Sequence, residues 1–368
     1  MDGLATSTVL GIGGLVVGLV FGAIVQRTNF CTLGAVSDLI LMEDGRRMRA
    51  WVLAAAVALF GTQAMHLAGL INIDSSFYLT SNLGWAGAIL GGLMFGFGMT
   101  KTGGCAGRTL VRLGAGNLKS LVVLMVMGMV AYMTLRGIIA PLRAAMETSL
   151  NYDLKGIGLK TQGVGEMFSR FGGLSPVAGR VVASVVVGGA LLWYALKDAD
   201  FRRSGRDVFA GVGIGLTILG GWTVTGILAK DEFAPVPLTS LSFASPIAEF
   251  LQYLMVFTGT TINFGAALVA GVVLGSFLMA AGTGRFRIES FADKDDLVRH
   301  LGGATLMGIG AILSLGCTIG QGMTGTATLA FGGMIAWASI IAGAYYGVKY
   351  LEEGTYIGAL KASFGASS

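Results

Sequence analysis

The sequence predicts an all-α polytopic membrane protein with about nine transmembrane helices and short re-entrant helices between them. Three observations carry this. Hydrophobic residues make up 54% of the 368 residues and charged ones only 12%, with a mean hydropathy of +0.75; soluble globular chains hold about 25% charged residues. Glycine is in large excess, 60 of 368, with no Gly-X-Y period, which excludes collagen and suits closely packed or broken membrane helices. The apolar residues come in stretches near the ~20 residues that a bilayer crossing needs. An ordinary cytosolic enzyme and a disordered chain are both excluded.

The apolar runs fall at about 8–25, 50–71, 84–99, 118–139, 177–196, 207–227, 262–282, 300–315 and 331–348. The first lacks a basic segment before it and a cleavage site after it, and reads as a mature span. A shorter run, Ile247–Phe257, follows Ser245-Pro246 and is half a span long. The polar interruption Ala140–Pro176 divides residues 1–139, a first half, from 177–368, a second, with 140–176 as the connecting loop.

Loop charges set the orientation. Arg46, Arg47 and Arg49, then Lys197, Arg202, Arg203 and Arg206, then Arg285, Arg287, Lys294 and Arg299 crowd three loops, while Asn72–Leu83 has no Lys or Arg. The positive-inside rule makes those three loops cytoplasmic, with the N-terminus outside and the C-terminus inside. The net charge of +5 belongs to these loops. It leaves no nucleic-acid footprint.

A duplication is visible. Gly96-Phe97-Gly98 with Thr102-Gly103-Gly104-Cys105 matches Gly308-Ile309-Gly310 with Ser314-Leu315-Gly316-Cys317 at a constant offset of 212 residues. On the topology above the copies cross in opposite directions, the inverted repeat that many transporters use to build a site at the repeat interface.

Cys31, Cys105 and Cys317 are the only cysteines. They form no C-x-x-C and no even framework, which argues against disulfides and zinc, and two histidines are too few for a histidine-built metal or haem site. No cofactor is expected. Each cysteine stands where an apolar helix gives way to residues that break or cap one. Irregular backbone at membrane depth must be buried in protein or line a wet cavity, and a helix restarting there directs N–H groups at an anion in the gap. A single membrane cysteine is ordinarily a small apolar filler. Three at helix breaks, two of them in matching repeats, outweigh that. Arg27, Lys101 and Arg108 read first as interfacial anchors, and Asp38 and Glu249 as solvated caps. No H-E-x-x-H, G-x-S-x-G or P-loop occurs, so the chain is read as a non-enzyme without its own ATP drive.

These three segments, in this order, resemble the YeeE/YedE family of sulfur-compound transporters over most of the chain. The resemblance is strongest at Gln26-Arg27-x-x-Phe30-Cys31 with Asp38, at Gly103-Gly104-Cys105 and at Gly316-Cys317-x-x-Gly320-x-Gly322. Ser245-Pro246, Leu251-Gln252, Gly275-Ser276-Phe277 and Arg285-Phe286-Arg287 also fit the family pattern. It implies thiosulfate uptake across the inner membrane through an hourglass, pseudo-symmetric helical fold, with Cys31, Cys105 and Cys317 contacting the ion in succession. Gly104, Gly316, Arg27 and Gln321 are the further candidate substrate contacts. A fourth, Cys31-like position is expected near Gly221–Gly226, where there is no thiol. A separate cytoplasmic sulfur-carrier protein is an implied partner, since none is fused to this chain, and a related sulfur or selenium species is the alternative cargo. Physically, a neutral thiol is a weak, soft donor that holds a soft sulfur anion without trapping it, as conduction requires; a thiolate would repel the dianion. The rival readings are a membrane thiol enzyme that forms a persulfide and a structural subunit with inert cysteines.

Overall fold

The computed structural model describes residues 6–230 and 236–363. It is helical, with one two-residue β pairing (Asn82–Leu83 with Tyr152–Asp153) strapping one end. The helices are α1 (Thr6–Thr28), α2 (Thr32–Leu41), α3 (Arg46–Leu67), α4 (Trp85–Thr102), α5 (Ala106–Gly114), α6 (Leu118–Arg136), α7 (Ala140–Leu150) and α8 (Val164–Gly172). There follow α9 (Pro176–Leu196), α10 (Ala199–Arg203), α11 (Gly205–Thr223), α12 (Ala244–Met255), α13 (Phe264–Gly282), α14 (Lys294–Leu313), α15 (Phe331–Glu353) and α16 (Tyr356–Ser363). A short helix over 318–327, wound as a π-helix between Gly320 and Gly325, precedes α15.

Two features refine the expectations. Seven helical stretches of the expected nine are long and apolar enough among the described residues to cross a membrane. The shortfall is α4 and α14, 18 and 20 residues long. Their glycines contribute contact rather than hydropathy, and α14 opens on Lys294, Asp295 and Asp296. The segment 140–176 is also more than a loop, since it carries α7 and α8.

The glycines explain how the helices approach. A methyl at Gly91 would lie 2.6 Å from the Gly310 carbonyl, and one at Gly310 would lie 2.5 Å from that of Gly91. Gly98 and Gly303 face each other in the same way, at 2.7 and 2.8 Å. With partners summing to a constant residue number, α4 and α14 run antiparallel. Gly18 and Gly22 of α1 meet the Leu268 and Val272 carbonyls of α13, and Gly96 of α4 meets that of Ile340 in α15. Each closes a helix pair to backbone contact, gaining dispersion where lipid supplies no hydrophobic drive.

Shifted by 212 residues, the separation of Cys105 and Cys317, α2 falls on α12, α4 on α14, α5 on 318–327 and α6 on α15. The packing partners exchange likewise: α1 packs on α13 and α3 on α11; α4 packs on α15 and α6 on α14. The three basic loops share one face, with Arg49 near Asp198 (3.6 Å), Arg206 donating to the Thr28 carbonyl (2.7 Å), and Arg285 beside Arg27 and Arg206. On that face Asp296, ahead of the apolar part of α14, pairs with Lys119 at the head of α6 (2.7 Å) and with Arg299 (2.9 Å). Those cations, Lys119 foremost, hold its carboxyl well below the ordinary carboxylate range.

Candidate substrate pathway

The three cysteines share one local design. In each case a helix ends, one residue adopts left-handed backbone, one more follows, and the cysteine begins a short helix. The left-handed residues are Asn29 (φ 57°), Gly103 (φ 72°) and Leu315 (φ 58°), each two positions before its thiol. Asn and Gly take that conformation readily; Leu does so at a cost of about 1 kcal/mol. Cys31 is the N-cap of α2, Cys105 that of α5, and Cys317 precedes the helix over 318–327.

What the sulfurs do there differs. Cys31 Sγ accepts from the Gly34 N–H (3.4 Å) and Cys317 Sγ from that of Gly320 (3.5 Å). Both act as capping acceptors, as a serine oxygen would, which leaves each S–H free to donate. Cys105 makes no capping bond. Its thiol instead stands close to that of Cys31 and to the Thr318 hydroxyl, next to Cys317. Cys105 and Cys317 are buried and Cys31 is partly exposed. The three cysteine segments, far apart in sequence, thus converge.

Two spaces open on opposite faces of the protein. On the face away from the basic loops, a cavity of about 400 Å³ is lined by Thr225, Thr239, Ser240, Ser242 and Ser245, with Arg143 and Glu249 among its charges, and it reaches Leu315. Ser242 also touches Gly320, where a methyl would lie 2.7 Å from its hydroxyl. On the basic face, Arg27, Arg206 and Arg285 line an open pocket of about 480 Å³.

The remaining sequence candidates are placed as follows. Gln321 is buried; its Nε2 donates to the Ser314 carbonyl (2.9 Å), so it braces the turn before Cys317. Gly316 packs on Gln321, and Gly104 on the stem of Arg108, each leaving room for little more than a methyl. Arg27 is exposed in the basic pocket and not beside the thiols. Arg108 is the guanidinium near them, donating to Asn29 Oδ1 (3.1 Å) and the Val25 carbonyl (3.5 Å). Lys101 stands over the Phe97 and Tyr350 rings, an interfacial anchor. Asp38 and Glu249 lie inside α2 and α12 and cap neither helix; Asp38 pairs with Arg47 (3.2 Å) and Glu249 accepts from Asn263 (2.8 Å).

The fourth position is not where the sequence suggests. Near Gly221–Gly226 the backbone passes from α11 into a π-turn without restarting. The restart 212 residues beyond Cys31 is Phe243, N-cap of α12. Its ring is buried against Phe21 (centroids 5.0 Å apart) and against Gly107, where a methyl would lie 3.1 Å from it. A phenyl ring carries no motif for chemistry, so only the offset could have found it. Gly322, which the sequence motif already contains, is closely packed: a methyl there would strike the stacked rings of Trp51 and Trp337.

The description of the family whose model matches residues 27–346 is sulphur transport. The chain belongs to that family. Its members are transporters, so it carries sulfur compounds across a membrane and is not an enzyme. Among similar proteins are thiosulfate transporter TsuA of Escherichia coli (strain K12), 29% identical over 354 residues (91% of this chain, 92% of the relative). A second, thiosulfate transporter TsuA of Spirochaeta thermophila, is 26% identical over 343 residues (90% and 96%).

Proposed function

We propose that this protein takes up thiosulfate across the inner membrane, with Cys31, Cys105 and Cys317 as successive contacts. The observation that carries the reading is the convergence of the cysteine segments: Cys31 lies close to Cys105, and Cys105 lies close to the residue after Cys317. The names of both relatives supply the substrate. The ion enters the hydroxyl-lined cavity, passes Cys317, then Cys105, then Cys31, and leaves toward the arginine pocket, where a cytoplasmic sulfur-carrier protein receives it. Two capped sulfurs keep their S–H bonds free, and three short helices point their N-termini at the path. Weak donors in series bind the dianion without retaining it.

The same reading makes residues 1–139 and 177–368 inverted repeats closing on an hourglass waist. The antiparallel α4 and α14 and the exchanged packing partners support this; α9 then stands outside the correspondence. The shared face of the basic loops supports a cytoplasmic C-terminus and an external N-terminus. Gly104 and Gly316 are spacers that let the cysteines reach the path, Gln321 braces the turn at Cys317, and Arg27 attracts the anion at the exit.

Uptake of labelled thiosulfate in cells without other sulfur importers tests it. The triple variant Cys31→Ala, Cys105→Ala, Cys317→Ala should fall to background at unchanged membrane abundance. Normal uptake by that variant sinks the relay.

A further inference from the structure

Two buried hydroxyls beside Cys317 have no hydrogen-bond partner: Thr318 Oγ1 (residue 0% exposed) and Tyr78 OH (3% exposed). Other buried polar atoms are unpaired too, among them Thr62 Oγ1, Ser76 Oγ, Gln321 Oε1 and Trp222 Nε1, but other hydroxyls of the 314–328 segment are satisfied. Ser314 donates to the Gly310 carbonyl (2.8 Å), Thr324 to that of Leu241 (2.7 Å) and Thr328 to that of Gly325 (2.8 Å). Buried polar groups are nearly always paired, and an orphan costs free energy that a ligand can return. Both orphans lie by the Cys317 turn. Thr318 directly follows Cys317; Tyr78 lines one void with Ser314, Leu315 and Gln321. Tyr78 is also held in place, its carbonyl accepting from Gln162 Nε2 (2.8 Å) and its ring packing on Gly325.

Thiosulfate has two kinds of surface. Its terminal sulfur is soft and suits a thiol; its three oxygens are hard acceptors and suit O–H donors. We propose that the Thr318 and Tyr78 hydroxyls hydrogen-bond the oxygens of the anion while its terminal sulfur rests on the cysteine thiols. This deepens the thiosulfate reading and rests on it. The pairing makes the passage selective for anions carrying both a soft sulfur and hard oxygens, because neither set of donors is satisfied by half of the ligand. The competing occupant is a water: the void beside Tyr78, Ser314 and Gln321 has a volume of about 20 Å³, room for one.

The test compares Thr318→Val, Thr318→Ser, Tyr78→Phe and Cys105→Ala in the full-length protein. It measures KM for labelled thiosulfate and the Tm of purified protein with and without it. The expected result is a KM raised about tenfold in Thr318→Val and in Tyr78→Phe, as for loss of a hydrogen bond to a charged group, with Thr318→Ser near wild type. Their unliganded Tm should hold or rise, since an orphan has been removed, while the thiosulfate-induced rise in Tm shrinks. Wild-type KM in both variants, with Cys105→Ala inactive, overturns this proposal and leaves the relay standing. A lower unliganded Tm also overturns it, because the hydroxyls then serve the fold or a structural water. Normal uptake by Cys105→Ala removes the reading on which it rests.

Discussion

At positions related by the 212-residue offset, the first and second halves of the chain carry different side chains. At the second break of each half stands a thiol, Cys105 or Cys317. At the first, one half has Cys31, partly exposed and capping α2, and the other has Phe243, buried against Phe21. An arginine pocket lies on the face of the basic loops and a hydroxyl-lined cavity on the other. On the proposed repeat reading, similar backbone at these positions carries different side chains.

The frame is the easiest part to break. Gly91→Leu and Gly310→Leu should each abolish folded protein in size-exclusion profiles, because the new side chain meets a backbone carbonyl that cannot yield. Gly302→Leu, on the same helix as Gly310 but with open space beyond it, should be tolerated. If only one of the reciprocal pair fails, the symmetric packing account is wrong. The asymmetry is tested by exchange. Cys31→Phe should eliminate thiosulfate uptake, whereas Phe243→Cys should retain some, at a cost of about 3 kcal/mol in stability from the lost ring; equal behaviour of the two variants would mean that the first-break positions are interchangeable.

Smaller effects sharpen the comparison further. Gly103→Ala should destabilise by about 1 kcal/mol, as left-handed backbone requires, while Leu315→Gly, at the matching position, should be neutral or stabilising; thermal unfolding of the pure protein reads both. Smallest is the charge cluster at the heads of α6 and α14. The folded Asp296 carboxyl lies below its unfolded value, so its contribution is full above about pH 4 and fades as the pH falls through the folded value. Asp296→Asn should lower Tm at pH 6, and the gap from wild type should start to narrow below about pH 4 while part of it persists at pH 3.

The thiols were legible in the sequence because cysteine is rare here and each one follows a glycine-rich or polar break. Their convergence was not, since it depends on three helix restarts from distant segments. Cys105 and Cys317 betrayed the duplication through shared glycines. Phe243 did not, because its equivalence to Cys31 survives only in backbone and offset. Arg27 stood out through its motif, yet the helix turn carries it away to the surface and brings Arg108 to Asn29 instead. Thr318 and Tyr78 gave no signal at all: a hydroxyl is notable only when nothing around it accepts its proton.

Composition alone determined that this chain lives in a bilayer, since so few charges and so much apolar surface have no other stable solvent. Glycine spacing determined that helices approach closely, and loop charge determined which ends share a side. Tertiary structure decided which glycine meets which carbonyl, which sulfur caps a helix and which is left free, and which hydroxyls go unpaired. Those are properties of contacts between segments hundreds of residues apart, and local residue preferences carry no information about them.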